Sequence, residues 1–149
     1  MQLTRFTDLG LRVLMYLSQH DRVLPVTIGE IATQFDVPHN HLVKVVNRLG
    51  KLGWIQATRG RNGGLRLMPA SLKLPLGRIL YGLEEVTQLI DCEHPPCALT
   101  GNCLLKGALD AGLKAFYAKM DEYTLADVCA KKTESAIIKL HRQFLAQHG

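Results

Sequence analysis

Cys92, Cys97 and Cys103 place three of the chain's four cysteines in one segment, DCEHPPCALTGNC, with four and then five residues between successive sulfurs. Thiolates gathered on a Pro- and Gly-bearing loop can close around a soft metal or an iron–sulfur cluster. Three sulfurs are one short of a four-thiolate site, so the remaining ligand has to come from elsewhere, and a non-thiolate ligand there makes the site labile. Two kinds of site fit the residues as they stand. A cluster takes the three cysteines and a ligand from outside the loop. Zinc takes the same three and His94, which lies between two of them beside Pro95-Pro96 and reaches the same ion awkwardly. Cys129, far along the chain, is expected to be a small buried hydrophobe. His39 and His41 form an H-x-H pair with no neighbouring acid or thiol, so they read as polar surface rather than ligands.

Catalysis is not expected. The chain carries no Ser-His-Asp set and no C-x-x-C, and its glycine run, Gly60–Gly64, lies between strand-like segments rather than between a strand and a helix. In a reducing compartment, four cysteines point to metal binding or redox sensing rather than disulfides. The opening MQLTRFTDLG has an acid and no apolar leader, and no apolar run is long enough for a membrane, so a mature cytoplasmic protein is expected.

The net charge is +5 over 149 residues, and its distribution is uneven. Residues 1–36 hold three Lys/Arg and four Asp/Glu, and residues 84–149 hold seven and nine. Residues 37–83 hold eight bases and no acid: Lys44, Arg48, Lys51, Arg59, Arg61, Arg66, Lys73 and Arg78. A positive zone inside an otherwise slightly acidic chain is the footprint of a polyanionic partner.

The elements around that zone follow from apolar spacing. Leu9, Val13, Leu14 and Leu17 predict a helix over Phe6–His20, capped by Thr7 with Asp8 near its positive end. Thr27-Ile-Gly-Glu30 matches a capping box opening a short helix, and Asp36-Val37-Pro38 turns the chain into a third helix over His39–Leu52. That helix buries Leu42, Val45, Val46 and Leu49 and leaves Asn40, His41, Lys44 and Arg48 outside. Two short helices joined by a tight turn, the second basic outside, predict a helix-turn-helix. Trp54–Thr58 and Leu65–Leu67 predict a hairpin, with Asn62-Gly63 as its positive-φ turn pair. The architecture is therefore mainly α: a winged helix-turn-helix over residues 1–75, then a cysteine loop and dimerisation region over 76–149. A short helix over Leu76–Glu84 precedes the loop. A long helix over Cys103–Met120 follows it, with an apolar stripe of Leu105, Leu109, Gly112, Leu113, Phe116 and Met120 wider than one winged helix needs. Thr124–Cys129 and Ser135–His148 predict short terminal helices. Double-stranded DNA is the expected partner. Lys44, Arg48 and Arg59 are the leading candidates for DNA contact, Asn40, His41 or Lys44 could contact bases, and Arg61, with Asn62 beside it at the wing tip, suits a narrow minor groove.

These pieces together resemble the Rrf2 family of bacterial transcription regulators over nearly the whole chain. The resemblance rests on the opening MQLTRFTDLGLRVLMYL, the helix HNHLVKVVNRLGKLGWI, the wing RGRNGGLRL, the three-cysteine loop in register and the late YTLADV (Tyr123–Val128). Within the family the likeness is to its nitric-oxide-sensing repressors. It implies a homodimer on a palindromic operator, and an iron–sulfur cluster on Cys92, Cys97 and Cys103, expected as 4Fe–4S with 2Fe–2S as the alternative. Family members that regulate cluster assembly carry a histidine three residues after the third cysteine. Here that place is Lys106, which cannot ligate while charged, and the likeness points instead to Asp8 contributed by the other subunit. A family member responding to iron or cluster supply, and a zinc-stabilised DNA-binding module without a sensing role, are the alternatives.

Overall fold

The first helix, α1 (Arg5–Tyr16), starts one turn before the expected cap. Thr4, not Thr7, is its N-cap, accepting the Thr7 N–H at 3.2 Å, and Thr7 itself is buried. Asp8 stays in the first turn. The structure, a computed structural model, describes residues 2–19, 22–85 and 87–149. The helix ends at Tyr16 with Leu17 as C-cap, and the expected terminus at His20 lies outside the described residues.

Thr27 caps α2 (Ile28–Phe35), accepting the Glu30 N–H at 3.1 Å. The reciprocal half of the capping box gives way to tertiary contacts. The Glu30 carboxylate turns inward and accepts from the Tyr16 hydroxyl at 2.5 Å and from Arg22 Nη2 at 2.9 Å. Asp36 takes a left-handed conformation, φ 49°, and closes α2. The chain then enters α3 (His39–Lys51), which buries Leu42, Val45, Val46 and Leu49 as the apolar spacing requires.

The wing is β1 (Ile55–Thr58) paired antiparallel with β2 (Gly64–Leu67), Thr58 opposite Gly64. Val26 adds a single bridge to Leu65. The tip differs from the expected Asn62-Gly63 turn. Gly63 N–H donates to the Gly60 carbonyl at 3.0 Å with Arg61 and Asn62 between them, and the positive φ falls on Gly60, at 104°. The register leaves residues 59–63 in the loop, longer than the two-residue hairpins that impose positive φ at both central positions. Gly63 is needed for another reason: a Cβ there would stand 2.1 Å from the Thr58 carbonyl oxygen.

An unexpected 3-10 turn, Pro69–Lys73, follows, with Ser71 Oγ donating to the Trp54 carbonyl at 2.8 Å. Next come α4 (Leu76–Leu83), the cysteine loop, α5 (Leu104–Met120), α6 (Leu125–Val128) and α7 (Lys132–His148). The last begins before the expected Ser135 and is as long as α5, at 17 residues. It folds back on the winged helix, where the His141 ring stacks on Tyr16 at 4.0 Å between centroids.

Helices α4 and α5 run antiparallel. A Cβ on Gly77, at the start of α4, would meet Asp121 and the Tyr117 carbonyl at the end of α5. Backbone bonds from Leu76 to Tyr123 (2.8 Å) and from Leu125 to Leu74 (3.0 Å) tie that end. The cysteine loop spans the opposite end. Ile79, Leu83, Leu125 and Cys129 join Val13, Leu14, Ile31, Leu42 and Leu49 in one core, so packing is continuous across residue 75. No described helix is long and apolar enough to cross a membrane.

Candidate nucleic-acid interface and cysteine loop

The outward face of α3 carries His39, Asn40, His41, Lys44, Asn47 and Arg48, all exposed. The face exists because the four buried apolar residues recur at helical spacing, which turns the intervening polar positions outward. Asn47 was missed in the sequence, although it stands three residues after Lys44 on the same face. Arg59, Arg61 and Asn62 are exposed at the wing tip, and Arg66 is exposed on β2. The structure thus sets a polar helix face and a basic hairpin on one acid-free stretch. Arg48 differs from its neighbours. Its guanidinium donates to the Gly82 carbonyl from Nη2 at 3.0 Å and from Nε at 3.3 Å, so it is held against the end of α4.

All four cysteines are free thiols. Cys92 and Cys103 are half-buried, Cys97 is exposed, and Cys129 is buried. Burial pushes the Cys129 thiol up, against a smaller opposing effect of the Ser18 hydroxyl. It therefore sits as a protonated core side chain. Between α4 and α5 no described residue is buried. Local turns hold the loop: Cys97 N–H donates to the Cys92 carbonyl at 3.0 Å, and the Thr100 hydroxyl to the Cys97 carbonyl at 2.8 Å. Cys103 is the N-cap of α5. Among the described residues no three His, Cys, Asp or Glu side chains converge on one point as metal ligands.

The other ligand candidates are engaged elsewhere. His94 is exposed and pairs with Asp91 at 3.4 Å. Backbone N–H groups of Glu93 and His94 also donate to Asp91 and hold its carboxyl below the usual range, the Glu93 bond contributing most. Lys106 pairs with Asp110 at 2.9 Å, which raises its pKa and keeps it a cation rather than a ligand. Asp8 is half-exposed and paired with Arg12 at 3.0 Å. Among the described residues it belongs to no ligand set within one chain. The donor chemistry nevertheless fits an iron–sulfur cluster. Three free thiols sit on a loop whose described residues are held by local turns and are not buried, and such a loop can close without breaking the fold.

Comparison with known proteins agrees with this architecture. Residues 3–131 match the sequence profile of Rrf2, described as an iron-dependent transcriptional regulator. The HTH-type transcriptional regulator NsrR of Halalkalibacterium halodurans is 38% identical over 144 residues, covering 94% of this chain and 99% of that protein. Two solved structures share the fold. CymR, the global cysteine regulator of B. subtilis, superposes with a TM-score of 0.68 at 21% identity, over 87% of this chain and 96% of its own. IscR of T. potens gives 0.66 at 23%, over 86% and 85%.

Proposed function

Because this chain belongs to the Rrf2 family of transcriptional regulators, we propose that it is a cytoplasmic, homodimeric repressor whose hold on a palindromic operator is gated by an iron–sulfur cluster, with nitric oxide as the signal. The observation that carries this reading is the set of three free thiols on an unpacked loop joined, through α4, to a winged helix. Cys92, Cys97 and Cys103 would hold the cluster, with the partner subunit's Asp8 as fourth ligand. When bound, such a cluster supplies an iron whose carboxylate ligand is weaker than a thiolate and which is open to a small diatomic molecule.

The remaining roles belong to the chain itself. Asn40, His41 and Lys44 on α3 meet base edges and phosphates in the major groove, and Arg59, Arg61 and Asn62 carry the wing onto the backbone or minor groove. Half-sites lie about 34–36 Å apart or at multiples of that, so the spacing of two α3 helices decides affinity. Release of Asp8 from a partner's loop would free α1, which packs in the same core as α3, to change that spacing.

The deciding experiment is an iron, sulfide and zinc assay with a visible spectrum on protein purified without oxygen. About four irons and four sulfides per chain with a broad brown absorption are expected. Stoichiometric zinc without iron or sulfide would reduce the three cysteines to a structural site and end the sensing role, leaving DNA binding intact. Asp8→Ala should retain part of the cluster and lose most of the response of DNA binding to nitric oxide. An unchanged response removes Asp8 from the mechanism.

A further inference from the structure

The last turn of α4 is touched by α1, by α3 and by Trp54 of the DNA-reading head. The Gly82 carbonyl accepts two nitrogens of Arg48 on α3, at 3.0 and 3.3 Å. Gly82 lies against the Trp54 indole, where a Cβ would stand 2.7 Å from the ring. Leu83 fills the notch left by Gly10 of α1, again with 2.7 Å to a would-be Cβ. Glu84 receives the Thr4 N–H on both carboxylate oxygens at 3.3 Å, at the cap of the helix that carries Asp8. From Glu84 the chain runs directly into the segment bearing Cys92.

The chemistry of these contacts makes the turn a junction. The final carbonyls of a helix have no partner within it, and a cation at that end satisfies them and the helix dipole together. Arg48 does this from a neighbouring element. Two glycines at contact distance leave no slack, so a displacement of residues 82–84 is passed on to α1, α3 and Trp54 rather than absorbed.

Resting on the gated-repressor reading above, we propose that Arg48 is a positioning residue that reports the state of the cysteine loop to the recognition helix. The Gly82 carbonyl seats its guanidinium while the three loop thiols are free, and a loop drawn around a cluster moves α4's last turn, so the grip differs between the two states. Its role is then more than that of one phosphate contact among several. Arg48→Met removes both grip and charge; Arg48→Lys keeps the charge and loses the two-nitrogen grip.

The test uses full-length protein, cluster-loaded and metal-free, and a labelled duplex selected by the loaded wild type from a random-sequence pool. Expected for both variants is a drop of at least about fivefold in the ratio of loaded to metal-free affinity, the lower range of ordinary coupling between sites. The second readout is acrylamide quenching of Trp54, the chain's single tryptophan, in the metal-free protein. Both variants should be quenched more readily than wild type. Equal losses of affinity in both states, with Arg48→Lys restoring them and a salt slope shallower by about one in Arg48→Met, mark a phosphate contact only and overturn the proposal. A wild-type ratio of one sinks the gating itself and this inference with it; a large wild-type ratio kept by both variants sinks this inference alone.

Discussion

Arg59 and Lys44 are exposed cations without an acidic neighbour in their stretch of chain, so their charge is available to DNA. Arg59→Ala is expected to weaken operator binding by about 1–3 kcal/mol if the side chain reads a base, or to lower the salt slope by about one if it holds a phosphate. Fluorescence anisotropy across a salt series separates the two, and no change in either removes Arg59 from the interface. Lys106 illustrates how a single residue redirects a site. An ammonium paired with Asp110 has no lone pair to give, so Lys106 offers a metal no ligand while it is charged.

At the scale of elements, the buried cluster of Tyr16, Arg22, Glu30 and His141 joins α1, α2 and α7. Arg22 Nη1 lies 3.2 Å from His141 Nδ1, and His141 Nε2 lies 2.9 Å from the Tyr16 carbonyl. Burial, then hydrogen bonding to Glu30, pushes the Tyr16 hydroxyl far up, so it remains a donor at any working pH. The Arg22 and Glu30 side chains are 12% and 1% exposed. Glu30→Ala strands a largely buried guanidinium and should cost about 3–5 kcal/mol in urea unfolding. A loss below 1 kcal/mol would show the pair to be dispensable.

Histidine 141 gives this element a pH dependence whose sign follows from its surroundings. Burial first, then the Arg22 charge, lowers its pKa from 6.5, against the Tyr16 carbonyl and the Glu30 charge. The unfolded chain therefore takes up the proton first. Stability is full above the unfolded value and falls as pH drops through 6.5 toward the depressed folded value. The difference in urea midpoint between about pH 7.5 and pH 5.5 should shrink in His141→Gln, and an unchanged difference would place the titration elsewhere.

For the whole molecule, α5 is the exposed element. None of its 17 residues is buried, and Leu104 and Leu105 are 92% and 62% exposed. Apolar surface of this kind is what the second copy of the proposed homodimer would cover, two-fold pairing being common among oligomeric proteins. Leu104→Glu with Leu105→Glu should yield a monomer in sedimentation velocity with an unchanged helical circular dichroism spectrum. Operator affinity should fall by orders of magnitude, since one half-site remains; a variant that still sediments as a dimer places the interface elsewhere.

The buried face of α3 and, Asn47 apart, its polar face were legible from the chain alone, as was the loop between α4 and α5 that bears the three cysteines, because helical spacing and loop composition are local properties that need no tertiary contact to be recognised. The same holds for the hairpin, the Thr27 cap and the long α5. Tertiary structure decided the rest. Glu30 looked like half of a capping box, but a buried guanidinium and a buried phenol compete for its carboxylate more strongly than a backbone N–H does. Arg48 is one of several basic residues expected at DNA, and only the tertiary structure brings the Gly82 carbonyl within its reach from 34 residues away. His141 carried no visible role until α7 folded back on Tyr16 from 125 residues away. Sequence spacing encodes which face of an element is apolar. Which partner meets the polar face depends on contacts between distant segments, and these exist only once the core has closed.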